Sequence, residues 1–446
     1  MSADTAIRPV RAGELGRVRG LAYYLGAVLG TGVIALPALS YRAAGPASLL
    51  AWAALVVASV PIAWTFSSLG RLLPDGGGVS TYVRRAFGGY WATASGWWFY
   101  LTIPLGIPAS ALFAGQYVAH ALGAPRWTAV GVAGGITAAV LGAVWAGVRT
   151  SSTLQLIIAG TILTVLVIAI GAGASRVDAG RIEPFAPHGW SAVAPSAALI
   201  MWAFSGWEAM SYLGGQFRDP RRDLGVVTAL ALITIGVLYL ALAAVSIFAL
   251  GDGAGGDAPL ASLLAYALGP AGEALTAGLA VVLTLGTLTS YATGAVELGR
   301  SLGVSASLPG WFGRGRNALV AVAVLSGVGL GILAGGPDTS EVLVRLVTAA
   351  IIAVYVAGLA AALRLLPGRG PRAVAGVGLA AVMGIAASCG LYLAWPAALG
   401  VGAAFWCARR RVVAARGVTS APQAVTSAKI NRRDDPRAQG GRNDRP

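Results

Sequence analysis

Charged residues make up only 11% of this chain, against about 25% in a soluble domain. With hydrophobic residues at 57%, that deficit excludes a water-soluble globule and implies an all-α polytopic membrane protein. Two cysteines, Cys389 and Cys407, are too few and too far apart for a disulfide framework or a CxxC metal motif. Two histidines, His120 and His188, leave no HExxH helix and no Ser/His/Asp set at membrane depth. Neither an enzyme nor a bound cofactor or metal is therefore expected. The glycines at 76–78 lack the spacing of a phosphate-cradling loop. Four arginines precede Leu21 without a small-residue cleavage site after a short apolar stretch, so the first apolar run reads as a permanent span.

What the chain has in abundance is apolar runs. A spanning helix needs roughly 20 apolar residues. Twelve such runs stand at about 20–42, 47–70, 90–121, 127–148, 152–173, 194–213, 225–250, 271–299, 317–335, 342–365, 372–389 and 391–407. The formal charge of +15 comes from arginine, with Lys429 the one lysine. With the N-terminus inside, 17 arginines before the tail fall on cytoplasmic segments and four (Arg42, Arg126, Arg176, Arg181) on outer ones. This bias is topological, does not call for a nucleic-acid partner, and puts both termini in the cytoplasm of an inner cell membrane. Residues 408–446 are basic, poor in large apolar side chains, and read as a disordered tail facing lipid headgroups.

Two runs are interrupted. Span one carries Gly30-Thr31-Gly32 and span six carries Ser205-Gly206. Lipid tolerates a break only where protein or a cavity covers the freed peptide groups. Five spans separate the two starts, so the two helices cross in opposite senses. That predicts an inverted 5+5 repeat, residues 20–173 mirrored by 194–365, preceded by a cytoplasmic segment 1–19 and followed by spans eleven and twelve at 372–407. Free N–H groups near Thr31, Gly32 and Val33 suit an anion, and carbonyls near Val28 and from Trp202 to Ser205 suit a cation. A zwitterion needs that pairing. The competing reading is that the glycines only let helices pack closely.

The segments Leu29-Gly30-Thr31-Gly32-Val33-Ile34-Ala35-Leu36-Pro37, Pro74-Asp75-Gly76-Gly77-Gly78 and Trp202-Ala203-Phe204-Ser205-Gly206-Trp207-Glu208, with Phe217-Arg218-Asp219-Pro220, resemble signatures of the amino acid–polyamine–organocation (APC) transporters. The likeness covers about residues 15–405. Ile103-Pro104-Leu105-Gly106-Ile107-Pro108 and the Gly-Thr-Gly break look nearest to bacterial exporters of methionine and branched-chain amino acids. The resemblance implies a LeuT-like fold of twelve transmembrane helices with spans 1 and 6 discontinuous. It also implies a substrate carboxylate at Thr31 and Gly32, an ammonium at the carbonyls near Val28, Trp202 and Ser205, and an aromatic lid at Trp202. Packing is the alternative role for Trp202.

Glu208 is the one acid expected near mid-depth. It reads either as a proton-coupling residue or as a cap for the second half of span six. Glu297 with Arg300, and Glu341 with Arg345, are spaced as helical ion pairs. Thr289, Ser290 and Thr293 sit where sodium-coupled relatives hold an ion, yet such hydroxyls more often bond the preceding turn. No lysine occurs in the membrane, which sets this chain apart from relatives with a lysine in span five and leaves the ion open. Mid-depth residues of spans one, three, six, eight and ten are otherwise apolar. The expectation is alternating-access transport of a neutral apolar amino acid (Leu, Ile, Val or Met), as export by proton antiport; uptake or exchange by the same fold, and a channel or sensor, are the alternatives.

Overall fold

Apolar runs of bilayer length must satisfy their peptide groups internally, which leaves helices as the option for single segments. The computed structural model describes residues 16–30, 32–73, 78–148, 152–208, 216–336 and 339–419, with backbone alone at 152, 155 and 411–419. In chain order the helices are α1 (Arg17–Val28), α2 (Gly32–Ala44), α3 (Ser48–Leu72), α4 (Gly78–Phe87), α5 (Gly89–Ala121), α6 (Arg126–Trp145), α7 (Ser152–Ala174) and α8 (Val193–Ile200). There follow α9 (Pro220–Leu250), α10 (Pro259–Leu268), α11 (Pro270–Val304), α12 (Asn317–Ala334), α13 (Thr339–Leu365), α14 (Arg369–Ala387) and α15 (Ala394–Thr419).

Ten helical stretches among the described residues are long and apolar enough to cross a membrane, and the protein is a multi-pass membrane protein. The expected twelve crossings do not appear as twelve long helices. The first two lie in one apolar stretch, Arg17–Leu72, and the sixth is represented by the shorter Trp190–Phe204. The joined stretch of 56 residues would measure ~84 Å if straight, far beyond a hydrocarbon core of ~30 Å. It turns back at Gly45–Ala47, where Gly45 takes φ 61° and Pro46 starts a 3₁₀ turn. α15 continues to Thr419, into the segment expected to be a disordered tail from 408, and residues 420–446 lie outside the described residues.

Helix ends sort into two faces. On one, Arg17 of α1 pairs with Asp223 of α9 at 2.6 Å, and Arg364 of α13 donates to the Ala86 carbonyl of α4 at 3.0 Å. Because α1 starts and α15 ends there, this is the terminal face. On the opposite face, Arg42 of α2 pairs with Asp257 at 3.0 Å, and Arg126 of α6 donates to the Leu333 and Gly336 carbonyls beyond α12. The expected helical pairs are present, Glu297–Arg300 at 3.6 Å and Glu341–Arg345 at 2.6 Å.

α5 is the hub. Its 33 residues would span ~50 Å, so it tilts, and it touches α4, α6, α11, α12, α13 and α15. Pro104 and Pro108 lie inside it. Lacking an N–H, Pro108 frees the Pro104 carbonyl, and Ser326 of α12 donates to it at 2.9 Å. A helix that would be weakened by proline in water is thus tied to its neighbour at that point.

Candidate functional site

The end of α1 and the turn after α8 meet at the centre. α1 ends at Val28 and α2 begins at Gly32. α8 tightens into a 3₁₀ turn, Met201–Phe204, and then Ser205 goes extended (φ −73°, ψ 151°). Gly206 follows at φ 111°, and a Cβ there would lie 2.6 Å from the Ala27 carbonyl oxygen of α1. The two strands of bare backbone approach so closely that only glycine fits. Residues 209–215, where the second half of span six is expected, and Thr31 lie outside the described residues.

Beside this junction is a cavity whose empty space, open mouth included, is about 760 Å³. Ala27, Val28, Gly30 and Gly32 line it from the first break, and Trp202, Ala203, Ser205 and Glu208 from the second. One stripe of α5 supplies Phe99, Ile103, Gly106 and Ser110 at helical spacing, flanked by Trp98, Thr102 and Ile107. Leu288 and Tyr291 of α11, and Val347, Ile351 and Val354 of α13, complete it. Apart from Glu208, the lining carries no charged side chain among the described residues.

Glu208 is 7% exposed. Its Oε2 accepts from the Tyr355 hydroxyl at 2.5 Å and from the Gly206 N–H at 2.9 Å. The same Gly206 N–H lies 3.1 Å from the Tyr355 oxygen. The carboxyl therefore has two donors on one oxygen and a face on the cavity, so it is both held and reachable.

The expected carbonyl acceptors are already engaged. Val28 O accepts from the Gly30 N–H at 2.8 Å and faces the Tyr239 hydroxyl of α9 at 3.0 Å. That hydroxyl lies equally 3.0 Å from Ala203 O, so one phenol bridges both breaks. Tyr291 donates to Ala27 O at 2.9 Å, and Trp202 O accepts from Ser205 through both its N–H (3.0 Å) and its hydroxyl (2.6 Å). Replacing Tyr239 by Phe is expected to destabilise the protein by about 1–2 kcal/mol, since two carbonyls lose a shared donor. A thermal melt of the purified variant in detergent measures it.

The sequence reading of the site needs further changes. Val33 faces away, into a small apolar cavity against Ile162 and Leu283, and its N–H is committed to Gly30 O at 3.3 Å. Phe204 is buried against Trp52 and Tyr239 and does not line the central cavity. Gly206 acts through backbone and is not a lining residue. Thr289, Ser290 and Thr293 each turn a hydroxyl onto the preceding turn, at Leu285 O, Gly286 O and Thr289 O. Trp202 is half-buried, lies across Gly106 and packs 6.2 Å from the Phe113 ring. Tyr239, Tyr291 and Tyr355 were not singled out from sequence. For Tyr239 and Tyr355 the signal is a single hydroxyl among apolar neighbours, and Tyr291 is one of several hydroxyls between Thr287 and Thr293; without a partner in view none of them marks a site.

A model of the amino acid permease family matches residues 15–406. An amino acid permease of Bacillus subtilis, YecA, is 30% identical over 78% of this chain and 84% of its own length. The L-methionine/branched-chain amino acid exporter YjeH of Escherichia coli is 35% identical over 51% of this chain and 54% of its own. Among solved structures, MhsT in complex with L-phenylalanine shares the fold at a TM-score of 0.55 with 15% identity, over 85% of this chain and all of that one. The protein has a LeuT-type fold, and it is a transporter, not an enzyme, belonging to the amino acid permease family of the APC superfamily.

Proposed function

We propose that this chain exports neutral apolar amino acids (Leu, Ile, Val or Met) across the cell membrane by alternating access, in antiport with protons that exchange at Glu208. The observation that carries this is one cavity lined by the end of α1, the start of α2 and the turn after α8, against apolar walls. Gly32 opens α2 on the cavity wall, where the positive end of the helix dipole favours a carboxylate. Ser205, in the turn after α8, lies on the wall that would face the ammonium. Ile103, Gly106, Val347 and Ile351 supply surface for an uncharged side chain. A charged side chain would be desolvated there without a partner. Trp202 is the lid.

Seventeen arginines against four support an inner-membrane location with both termini in the cytoplasm. The same topology supports twelve crossings, with repeats at 20–173 and 194–365 and spans eleven and twelve at 372–407. Export is favoured by the likeness to the E. coli exporter of methionine and branched-chain amino acids.

Purified protein in liposomes preloaded with leucine is expected to release it faster when the receiving side is acidic, and methionine, not lysine or glutamate, is expected to compete. Release indifferent to the pH gradient would remove the antiport. Competition by lysine as strong as by methionine would remove the substrate class.

A further inference from the structure

We infer that α15, outside the two repeats, fixes one wall of the cavity and with it the size of side chain the transporter accepts. This rests on the cavity being an amino-acid site. The wall is Trp98, which lines the cavity and is 9% exposed. Its indole N–H does not bond its own neighbourhood on α5. It donates at 2.7 Å to the Pro396 carbonyl in the first turn of α15.

One turn further along α15, the edge of the same ring meets Gly400. A Cβ at Gly400 would lie 3.7 Å from Trp98 Cζ2 and 4.0 Å from its Nε1. The indole is therefore gripped at its nitrogen and backed along its edge by a residue with no side chain. A Cβ alone would only touch the ring, but the further carbons of a branched side chain at 400 would crowd its edge, and the ring borders the cavity.

The neighbouring tryptophan reinforces the grip. Trp97 donates to Ser307 O at 2.8 Å in the loop after α11, and Trp406 and Arg410 of α15 both donate to Ala306 O in that same loop. α15 thus holds the terminal-face half of α5 directly through Trp98 and indirectly through Trp97. On α5, Trp98 is the first lining residue and Ser110 the last, with the Phe113–Trp202 contact beyond Ser110. Trp98 closes the end of the apolar stripe away from that lid. A long side chain reaches it and a methyl does not.

The test is Gly400→Val in a Cys389→Ser/Cys407→Ser background, with Val401→Leu, on the exposed side of α15, as control. Leucine and phenylalanine counterflow are expected to fall about tenfold relative to alanine in Gly400→Val and to keep wild-type ratios in the control, one buried methylene being worth about that much discrimination. A second readout does not require transport: a single cysteine at position 103 is expected to react about tenfold more slowly with N-phenylmaleimide when residue 400 is valine, with N-methylmaleimide much less affected. Where Gly400→Val does not fold, Trp98→Phe keeps a ring but drops the N–H, and its size preference is expected to relax toward phenylalanine. Equal losses for all three substrates, or unchanged ratios and labelling in a folded variant, overturn the inference. If wild type carries no amino acid while labelling still depends on residue 400, the substrate reading fails and the wall stands.

Discussion

Gly206→Val is expected to abolish transport and to cost about 3 kcal/mol or more of stability. Two terms add. The backbone at φ 111° is one that β-branched residues rarely adopt, at a cost of order 1–3 kcal/mol. The new Cβ also meets the Ala27 carbonyl oxygen at 2.6 Å and its carbon at 2.9 Å, backbone atoms that cannot swing aside as a flexible side chain would. Overpacking of this kind costs typically ~1–3 kcal/mol. Relief requires the two breaks to separate, and separation undoes the bridge from Tyr239 to Val28 O and Ala203 O. Function is therefore lost before the fold is. The measurement pairs leucine counterflow with a melting curve. A variant that melts lower by a few degrees yet transports at the wild-type rate would show that close apposition of the breaks is not needed. Gly206→Ala keeps the same strain without the branching and is expected to fall between the two.

Why the breaks were visible in sequence, and most of the cavity was not, follows from what each depends on. A membrane helix cannot conceal a Gly-Thr-Gly or a Ser-Gly interruption, because in lipid every peptide group has to be placed. The positions of Val28, Gly30, Gly32, Trp202 and Ser205 around one cavity follow from that constraint. Ion pairs one turn apart, as at Glu341–Arg345, follow from helix periodicity alone. The walls depend on which face of α5 turns inward, and in a helix that is apolar all round no polar periodicity marks a face. Phe99, Ile103 and Gly106 look no different in sequence from lipid-facing neighbours. Bridging tyrosines are harder still: Tyr239 and Tyr355 are 36 and 151 positions from Ala203 and Phe204, the carbonyls they reach. Val33 and Phe204 stand beside the two breaks, but their side chains turn elsewhere, Val33 to a separate apolar cavity and Phe204 onto Trp52 and Tyr239, and sequence adjacency does not say which way a side chain turns.

Glu208→Gln is expected to leave exchange of leucine for leucine largely intact and to erase its dependence on the pH gradient. The geometry separates the two roles that the sequence left open. As a cap, Glu208 offers an acceptor to the Gly206 N–H, and a glutamine offers the same acceptor through its amide oxygen. That oxygen also accepts from Tyr355, so both donors stay satisfied and the backbone of the break keeps its shape. What the amide removes is the proton that a carboxyl can take up and release as the cavity opens to one side and then the other. Coupling and capping thus predict opposite results from one substitution. If Glu208 only caps, Glu208→Gln retains the wild-type response to acid. If it couples, the response disappears while exchange, which returns the same occupied carrier in both directions, continues. Glu208→Ala supplies the contrast, since it removes the acceptor of both donors and leaves only the longer contacts of the Gly206 N–H to the Tyr355 oxygen at 3.1 Å and of that hydroxyl to Phe204 O at 3.3 Å. The turn is then held less firmly, so exchange falls together with coupling. Tyr355→Phe removes the side-chain donor alone and is expected to change the pH at which leucine release is half-maximal, because it takes away one of the two donors on the carboxyl oxygen. A midpoint in Tyr355→Phe equal to that of the wild type would mean that the group titrated during transport lies elsewhere.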